Sequence, residues 1–512
     1  MTSLWLDRPE RRPLVALRDD VTGQSGRQPS VVLPTGTHFD VAVVGAGLTG
    51  LVTAVLLARE GMAVVVLEGR EVGAATTGNS SGKLSLLQGT RLSRIASKHP
   101  SSLVDAYVSA NREAMVWLLG YCAANSVPVQ REDAYTYAHG PDGVRSANAE
   151  LRACQAAGLE VSWQDELDVP FPSCGGVRLT NQAQFDPMDV LDALLGELVE
   201  RGGIVVEHTR VTAVHKKGGA TEVVTDGGAV TADWAVLATG TPILDRGGYF
   251  ARLEPLRSYC AAFTVPGPIP RSMYLSADTS RSVRYAPTAE GDRLVVGGYG
   301  HTVGRHQTPN RAVDRLVAWA QRHFPGASMT HSWSAQDYES IDALPYAGPL
   351  LPGDDRILMA TGFDKWGMTN AVASALLLSQ RIAGGTVVSW ATAFDSWNAR
   401  QIAGLPTAAR INTAVGINLI RGWIEPQLRG ADPDMLVDGQ GRVGRGFPVP
   451  IARCNDQGRT HTLSAVCPHL GGIVRWNDAE RSWDCPLHGS RFSADGSVRE
   501  GPATTGLHEL DG

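Results

Sequence analysis

The sequence predicts an α/β protein with an inserted antiparallel sheet, followed by a small all-β domain near its C-terminal end. Three patterns carry this prediction: a strand–helix–strand unit that begins near residue 39, alternating strand-like stretches in the middle of the chain, and short strand-like runs separated by Gly and Asp turns after Gly430. A chain of 512 residues has room for about two to four domains.

Composition excludes several classes of protein. The chain is 43% hydrophobic and 19% charged, which is ordinary for a globular protein. Its formal net charge of -6 gives no general attraction to nucleic acid or to anionic lipid. No apolar run approaches the roughly 18 residues of a membrane span. We therefore expect no nucleic-acid partner and do not expect a membrane partner.

The first 37 residues are rich in Pro, Arg and Gly and predict an N-terminal arm. Arg11 and Arg12 precede an apolar stretch, as in a twin-arginine export signal, but Leu14–Leu17 is shorter than the roughly 7 to 15 residues that such a signal needs. We therefore expect a cytoplasmic protein. The seven cysteines are scattered and do not form a disulfide scaffold.

The strand–helix–strand unit carries a glycine-rich loop at its first turn. An apolar strand starts at Phe39, a helical pattern runs through Arg59, and a second apolar strand ends at Glu68. The loop Gly45-Ala46-Gly47-Leu48-Thr49-Gly50 lies between the first strand and the helix. Glycines, flanking elements and a terminal acidic residue together form a dinucleotide-binding fingerprint.

Each residue of the fingerprint has an expected role. Gly45 permits the tight turn, Gly47 lets the backbone approach the pyrophosphate, and Gly50 lets helix and strand pack closely. The N-terminus of the helix faces the phosphate charge. Glu68 accepts hydrogen bonds from the adenosine ribose.

Three later segments favour FAD over NAD, because an NAD domain does not need them. Residues 69–84 supply small and hydroxyl side chains for the pyrophosphate and ribityl chain, residues 206–240 supply a strand for the adenine, and residues 360–370 open a helix towards the flavin. The candidate FAD-binding residues are Gly45, Gly47, Leu48, Thr49, Gly50, Glu68, Gly69, Arg70, Thr76, Thr77, Ser80, Ser81, Val211, Thr239, Gly240, Gly362, Phe363, Gly367, Met368 and Thr369.

On these segments the chain resembles the D-amino-acid oxidase-like FAD-dependent oxidoreductases over residues 38–400. The resemblance implies a Rossmann-like FAD domain with an inserted antiparallel-sheet substrate domain. It also implies hydride transfer to flavin from a C–H bond, usually one next to an amine. Members with an SSGK-like loop and a segment like WSAQDYESIDALPYAG (residues 333–348) often carry a Rieske domain at the C-terminal end.

The C-terminal part contains the motifs Cys467-Pro468-His469 and Cys485-Pro486-Leu487-His488, with fifteen residues between His469 and Cys485. This pair of motifs resembles a Rieske [2Fe-2S] domain, in which two thiolates bind one iron and two imidazoles bind the other. A zinc site with two cysteine and two histidine ligands is the alternative, although such sites favour C-x-x-C with a separate histidine pair. Cys467, His469, Cys485 and His488 are thus the candidate metal ligands.

The residues around these motifs predict an intermediate reduction potential. The resemblance places Gly472 and Leu487 where Rieske proteins of respiratory complexes carry a disulfide, so that bond is absent. Ser490 stands where a hydroxyl bonds a bridging sulfide, while Phe492 replaces the tyrosine of high-potential members.

The predicted organisation is an N-terminal arm (1–37), an FAD-dependent oxidoreductase part (38–400), a connector helix (401–430) and a Rieske domain (431–512). In the connector, apolar residues recur at helical spacing. We expect this helix to pack on the flavin part. A membrane-surface helix is disfavoured because the segment has few basic residues.

The leading functional hypothesis is an oxidoreductase that oxidises a small molecule, an amine or amino acid, at FAD. The flavin then passes electrons to the Rieske cluster and on to an unknown acceptor, which is a protein, a quinone or O2. Lys83 is the candidate catalytic cation near the flavin, with an exposed loop lysine as the alternative. Trp366 and Phe363 are candidates for an aromatic wall over the flavin, and core packing explains them nearly as well.

Three other functions remain open at this point. A Rieske oxygenase needs a mononuclear iron held by two histidines and a carboxylate, and no convincing triad is visible in the sequence. An NAD(P)H-linked reductase for a partner oxygenase usually carries a second nucleotide fingerprint. A redox sensor would turn over no substrate.

Overall fold

The computed structural model describes residues 1–8, 33, 35–279, 281–305, 309–386, 388–428 and 436–510. Most of the predicted N-terminal arm, including Arg11, Arg12 and Leu14–Leu17, therefore lies outside the described residues. Its first residues are described: Trp5 is buried and its indole N–H donates to the carbonyl oxygen of Ser80 at 2.7 Å. The beginning of the chain thus packs against the SSGK loop.

The flavin part alternates strands and helices. Its helices, in chain order from α1 to α7, are Leu48–Arg59, Arg91–Ala96, Ser101–Ala124, Pro141–Ala156, Pro187–Glu200, Asn310–His323 and Gly367–Ile382. Its strands, in chain order from β1 to β17, are His38–Val44, Val64–Leu67, Lys83–Leu84, Val129–Tyr137, Ser162–Gln164, Gly176–Phe185, Ile204–Val206, Val211–Lys217, Ala220–Thr225, Gly228–Leu237, Leu253–Thr264, Met273–Ser276, Ser282–Ala286, Arg293–Thr302, Ser328–Ser340, Tyr346–Pro349 and Ile357–Thr361.

The first sheet has the strand order β16-β17-β10-β1-β2-β7, with the β8–β9 hairpin attached to β10. Strand β1 is parallel to both β2 and β10. The four residues of β2, Val64–Leu67, are all buried, as expected for a parallel strand with both faces covered. This sheet places the glycine-rich loop at the carboxyl end of its central strand.

The second sheet has the order β15-β11-β14-β13-β12-β4-β6-β3, with β5 beside β6. It is antiparallel except for the β12–β4 pair. It is the predicted inserted sheet. Its long strand β15 belongs to the WSAQDYESIDALPYAG segment.

Local signals place some elements well and others less well. Asp186 caps α5 by accepting the N–H of Met188 at 2.8 Å, and Pro187 is the first helical residue. Residues 203–215 do not form one continuous strand: β7 and β8 are separated by a turn in which His208 has a φ of 52°. Helix α7 begins at Gly367, within residues 360–370, the segment in which the sequence indicates the opening of a helix.

The C-terminal domain is built from two small antiparallel sheets, β18-β19-β20 and β21-β22-β23-β24. Their strands are Gly441–Gly444, Ile451–Asp456, Arg459–Ser464, Arg475–Asn477, Ser482–Asp484, Arg491–Ser493 and Val498–Glu500. Trp483 and Phe492 lie in the buried core between them. The all-β prediction for this part of the chain is confirmed.

The predicted connector is the helix α8, Leu405–Leu428, but it does not pack on the flavin part alone. Near its start, the Asn412 side chain donates to the carbonyl oxygen of Ala251 in the flavin part. Near its end, the Trp423 indole donates to the carbonyl oxygen of Gly471 in the C-terminal domain. The helix therefore bridges both parts. No helix in the described part of the chain has the length and apolarity to cross a membrane.

Two glycines of α8 predict opposite effects of adding a methyl group. A Cβ at Gly416 would contact nothing within 4 Å, whereas one at Gly422 would lie 3.0 Å from Cβ of Ile473. Gly416→Ala should raise the free energy of unfolding by up to about 1 kcal/mol, because alanine favours the helix. Gly422→Ala should gain clearly less or lose stability, since its methyl group crowds Ile473.

Urea unfolding followed by circular dichroism compares the two variants with the unaltered protein. An equal gain in both variants would mean that the end of α8 does not pack on the C-terminal domain.

Candidate active site and cluster site

The loop between β1 and α1 requires glycine at two positions. Gly45 has a φ of +104°, and a Cβ there would lie 2.6 Å from the carbonyl oxygen of Ala238. A Cβ at Gly50 would lie 1.9 Å from the carbonyl oxygen of Gly45. Glycine at these two positions therefore allows the tight turn after β1 and the close packing of α1 on the loop, as expected of a pyrophosphate-binding loop.

Glu68 is held at the end of β2 by two backbone N–H groups. Its Oε2 accepts from Ala46 at 2.9 Å, and its Oε1 accepts from Arg70 at 2.8 Å. These bonds aim the carboxylate across the glycine-rich loop, which is the position expected of a ribose acceptor. Beside it, the N–H of Leu48 donates to the Thr77 hydroxyl at 3.1 Å.

A cavity of about 420 Å³ runs from this loop into the second sheet. Its volume is within the range of about 300–1,000 Å³ usual for small-molecule sites. Most of the candidate residues line it: Gly45, Gly47, Leu48, Thr49, Glu68, Gly69, Arg70, Thr76, Thr77, Ser80, Ser81, Lys83, Val211, Thr239, Gly240, Phe363, Trp366, Gly367 and Met368.

Three candidate residues do not line the cavity. Gly50 lies under the loop, against Gly45. A Cβ at Gly362 would face the Ser340 side chain at 3.3 Å. Thr369 is buried, and its hydroxyl accepts from the Gln88 amide at 3.2 Å. These residues support the cavity wall from behind rather than form its surface.

Lys83 is not an exposed loop residue. It lies in β3 with 8% of its surface exposed, and its Nζ donates to the Ser282 hydroxyl. Burial, with the neighbouring Arg284 guanidinium as a second cause, lowers the pKa of Lys83 to about 7. An amine on the cavity wall that titrates near neutrality can hold or release a proton there.

The aromatic pair precedes the N-terminus of α7. Trp366 is the residue before the first turn of that helix, and Phe363 is buried beside the cavity. Gly367 and Met368 follow on the same wall, so the N–H groups of the first helical turn lie at the cavity, where they favour negative charge.

Several residues that line the cavity were not predicted from the sequence. Arg91 is buried and pairs with Asp364, and Lys365 has a φ of +70°. Arg499 and Glu500 reach the same wall from the C-terminal domain. Lys365 lies between the predicted residues Phe363 and Trp366, which could have indicated its place, whereas Arg91, Arg499 and Glu500 belong to no local motif from which a place in the cavity could be inferred.

The four candidate metal ligands come together in the C-terminal domain. The thiols of Cys467 and Cys485 are buried and hydrogen-bonded to each other, which lowers the pKa of Cys467 and raises that of Cys485. The rings of His469 and His488 lie 5.1 Å apart between centroids. Two thiols and two imidazoles, grouped as pairs, match the donor set of a two-iron cluster that has cysteines on one iron and histidines on the other.

His488 has a buried ring nitrogen that needs a partner. Among the described residues, its Nδ1 has no hydrogen-bond partner. Burial, followed by the nearby His469, lowers the pKa of His488 to about 3 and keeps the ring neutral, as metal ligation requires. A buried nitrogen of a neutral imidazole that has no hydrogen-bond partner among the described residues fits a metal ligand.

The flavin part supplies groups that touch the ligands. Asp245 Oδ1 lies 2.5 Å from His469 Nε2, a carboxylate–histidine contact that orients a ligand ring. The Phe250 ring packs edge-on against both imidazoles. On the other side, Ser490 bonds the Cys467 thiol, and its Oγ accepts the N–H of Ala503 at 3.0 Å.

The positions expected to lack a disulfide lie side by side. A Cβ at Gly472 would be 2.7 Å from the Leu487 side chain and 2.9 Å from Cys485 Sγ. Among the described residues, the four candidate ligands included, no three His, Cys, Asp or Glu side chains converge on one metal position, and a two-iron cluster needs only two protein ligands on each iron.

Comparison with known proteins identifies two families along the chain. Residues 40–381 match the family model described as FAD dependent oxidoreductase, and residues 432–511 match the Rieske [2Fe-2S] domain. A Bacillus subtilis (strain 168) protein, YhfW, carries the name of a Rieske 2Fe-2S iron-sulfur protein. It is 32% identical over 491 residues, which cover 94% of each chain.

Two further relatives match one part each. The crystal structure of glycine oxidase from Geobacillus kaustophilus superposes with a TM-score of 0.61 at 18% identity, covering 71% of this chain and 99% of that one. The chloroplastic cytochrome b6-f complex iron-sulfur subunit of Arabidopsis thaliana is 44% identical over 64 residues, 12% of this chain and 28% of that protein.

Glu68 offers a test of the nucleotide site. Glu68→Gln should weaken FAD binding by roughly 10- to 100-fold, because a charged acceptor for the ribose is lost. Flavin absorbance retained after dialysis measures the effect. Glu60→Gln, an exposed residue at the end of α1, is the matched control. Full flavin retention in Glu68→Gln would remove Glu68 from the site.

Ser490 offers a test of the cluster site. Ser490→Ala should lower the midpoint potential of the cluster by about 60 mV, since one hydrogen bond that stabilises the reduced state is lost. A redox titration followed by electron paramagnetic resonance measures it. The control is Ser493→Ala, whose hydroxyl accepts from Arg499 rather than touching a ligand. An unchanged potential in Ser490→Ala would contradict this contact.

Proposed function

Because the chain belongs to the FAD dependent oxidoreductase family and carries a Rieske [2Fe-2S] domain, we propose that it oxidises a small amine or amino acid and passes the electrons through the cluster to a separate acceptor. FAD and a [2Fe-2S] cluster are its cofactors. When bound, FAD accepts a hydride from a substrate C–H bond, and the cluster accepts electrons one at a time.

The main support for the electron relay is that the flavin part and the C-terminal domain both line the same cavity. Arg499, Glu500 and Gly501 of the C-terminal domain line the same cavity as the glycine-rich loop. Tyr338 lines this cavity and also a small pocket that contains His469 and His488. Tyr338 thus borders both the candidate flavin cavity and the pocket beside the candidate histidine ligands, which supports electron transfer between the two sites.

The residues of the loop and of β2 hold the nucleotide in this proposal. The glycines let the backbone approach the pyrophosphate, and Glu68 accepts from the ribose hydroxyls. Thr76 and Ser80, on the cavity wall, provide hydroxyl groups for the ribityl part of FAD.

Lys83 and Trp366 are the proposed catalytic residues. The Lys83 amine, when protonated, stabilises negative charge that develops on the reduced ring. Trp366, with Phe363, covers the cavity beside α7 and excludes water from the reacting atoms.

An amine or amino acid substrate is supported by the cavity and by the fold. Lys83 and Lys365 place two amino groups on its wall, which suits a substrate carboxylate. The solved structures that share the fold include glycine oxidase and the L-amino acid deaminase from Proteus myxofaciens.

Anaerobic titration with a panel of secondary amines and amino acids tests the proposal. A substrate should bleach the flavin absorbance and then produce the resonance signal of a reduced cluster in the same sample. A reduced flavin beside an oxidised cluster, with substrate turning over, would contradict the relay. Reduction by NAD(P)H and by none of the amines would instead identify a reductase.

Lys83 gives this proposal a pH dependence. With a pKa of about 7, Lys83 is a cation below that pH and neutral above it. Lys83→Met should therefore lower the flavin midpoint potential by about 30 mV at pH 6 and by less at pH 8.

Spectroelectrochemical titration at the two pH values measures the effect. Lys98→Met, whose amine bonds the carbonyl oxygen of Ile341 outside the cavity, should leave the potential unchanged. A Lys83→Met potential equal to that of the unaltered protein at pH 6 would exclude this role.

A further inference from the structure

Strand β15 faces the C-terminal domain with every second side chain. Ser334 Oγ donates to Glu480 at 2.5 Å, Gln336 Nε2 donates to the carbonyl oxygen of Gly489 at 2.8 Å, and the Tyr338 hydroxyl donates to that of Gly501 at 3.2 Å. The period of two is that of a β-strand, so these three side chains share one face. We call them the β15 seam.

The intervening residues face the flavin part. The Trp333 indole donates to the carbonyl oxygen of Asn79 at 3.0 Å, and Asp337 accepts the N–H of Lys365 at 2.6 Å. One strand therefore holds the cofactor loops on one face and the C-terminal domain on the other. This gives a physical reason for the WSAQDYESIDALPYAG segment to accompany a cluster domain.

The amide of Gln336 has one orientation. Its Oε1 accepts from Arg257 at 3.0 Å, which directs both N–H bonds of Nε2 to Tyr338 Oη, at 2.9 Å, and to Gly489. The residue is 2% exposed. Gly489 directly follows His488 in the chain, so the Gln336 amide bonds the residue next to a candidate cluster ligand.

Buried charges behind the seam hold the two parts in one arrangement. Arg257, fully buried in β11, pairs with Glu480 at 2.8 Å, and Glu480 also pairs with Arg491 at 2.5 Å. The two guanidinium groups lower the pKa of Glu480 to about 2 against the effect of burial. Separating the parts would take Glu480 and Glu500 away from the buried Arg257 guanidinium, which is strongly unfavourable.

We propose that Gln336 and Tyr338 are positioning residues that set the rate of electron transfer from flavin to cluster. Gln336 holds residues 485–489, here called the His488 loop, and Tyr338 holds Gly501 against the cofactor cavity. The inference rests on the proposed relay. With both cofactors bound, each transfer would move one electron from reduced FAD to the cluster and convert one Fe(III) to Fe(II), and the proton lost by the flavin would pass to solvent. The separate acceptor would remove that electron before the second one followed.

Flash photoreduction of the flavin in the full holoprotein, with EDTA as the electron donor, tests the inference. In Gln336→Leu the cluster should be reduced about tenfold more slowly. The lost buried hydrogen bonds lower the fraction of molecules in which the loop that contains His488 is held against the cavity. Tyr338→Phe should slow the transfer by less: its hydroxyl loses the bonds with Gly501 and Gln336, but its ring remains and Gln336 still bonds Gly489.

Other readouts separate positioning from damage to the fold. Iron content, the midpoint potentials of both cofactors and the resonance spectrum of the cluster should stay unchanged, so that the driving force is the same. Gln182→Leu is the matched control: this buried glutamine bonds only the backbone of Leu86 and Thr180, within the flavin part. It should transfer electrons at the rate of the unaltered protein.

The outcomes are distinct. If the unaltered protein transfers electrons and both seam variants match its rate, the positioning role is wrong and the relay stands. If Gln182→Leu slows the transfer as much as Gln336→Leu, the effect is a general loss of packing, and the inference is also wrong. A cluster that stays oxidised beside reduced flavin in the unaltered protein would overturn the relay and the inference together.

Discussion

The pairing of buried charge between the two parts is the constraint on which the rest depends. Arg257 has no access to water, and its guanidinium needs the carboxylate of Glu480 from a segment 223 positions away in the chain. An unpaired ion in that place would cost far more than a surface contact gains, so the C-terminal domain has a defined place. Arg491, bonded to Glu480 and to Asp484, extends the same network into the domain that holds the candidate cluster ligands.

A defined place for the domain makes the cofactor cavity a composite site. Strand β24 brings Glu500 and the following Gly501 to a wall whose other residues come from both sheets of the flavin part and from the loops beside them. Helix α8 joins the two parts and keeps the domain at a high effective concentration, but a tether alone sets no orientation. Orientation comes from the seam and the ion pairs, and it is orientation that decides which ligand loop faces the cavity.

Local motifs predicted the cofactor regions well because their chemistry depends on neighbours in sequence. Glycine at 50 is required by a contact with Gly45 in the same loop, and Glu68 ends the adjacent strand; glycine at 45, which has a positive φ, also faces the distant Ala238. The environment of Lys83 was predicted less well. Because Lys83 lies in a Ser- and Gly-rich segment, the sequence is most simply interpreted as placing it in an exposed loop. The pairing of β3 with β6 buries it instead. The apolar spacing in α8 likewise indicated a helix without indicating its two partners.

The sequence by itself determined the fold class, the two cofactors and the four candidate ligands of the cluster, since each of these depends on short spacings that survive in any arrangement of the domains. Only the tertiary structure decided that Lys83 is buried, that residues 499–501 line the flavin cavity and that Gln336 bonds the His488 loop. Those facts arise from contacts between segments far apart in the chain. Such contacts are selected by the burial of charge and apolar surface over the whole molecule, and no local pattern encodes them.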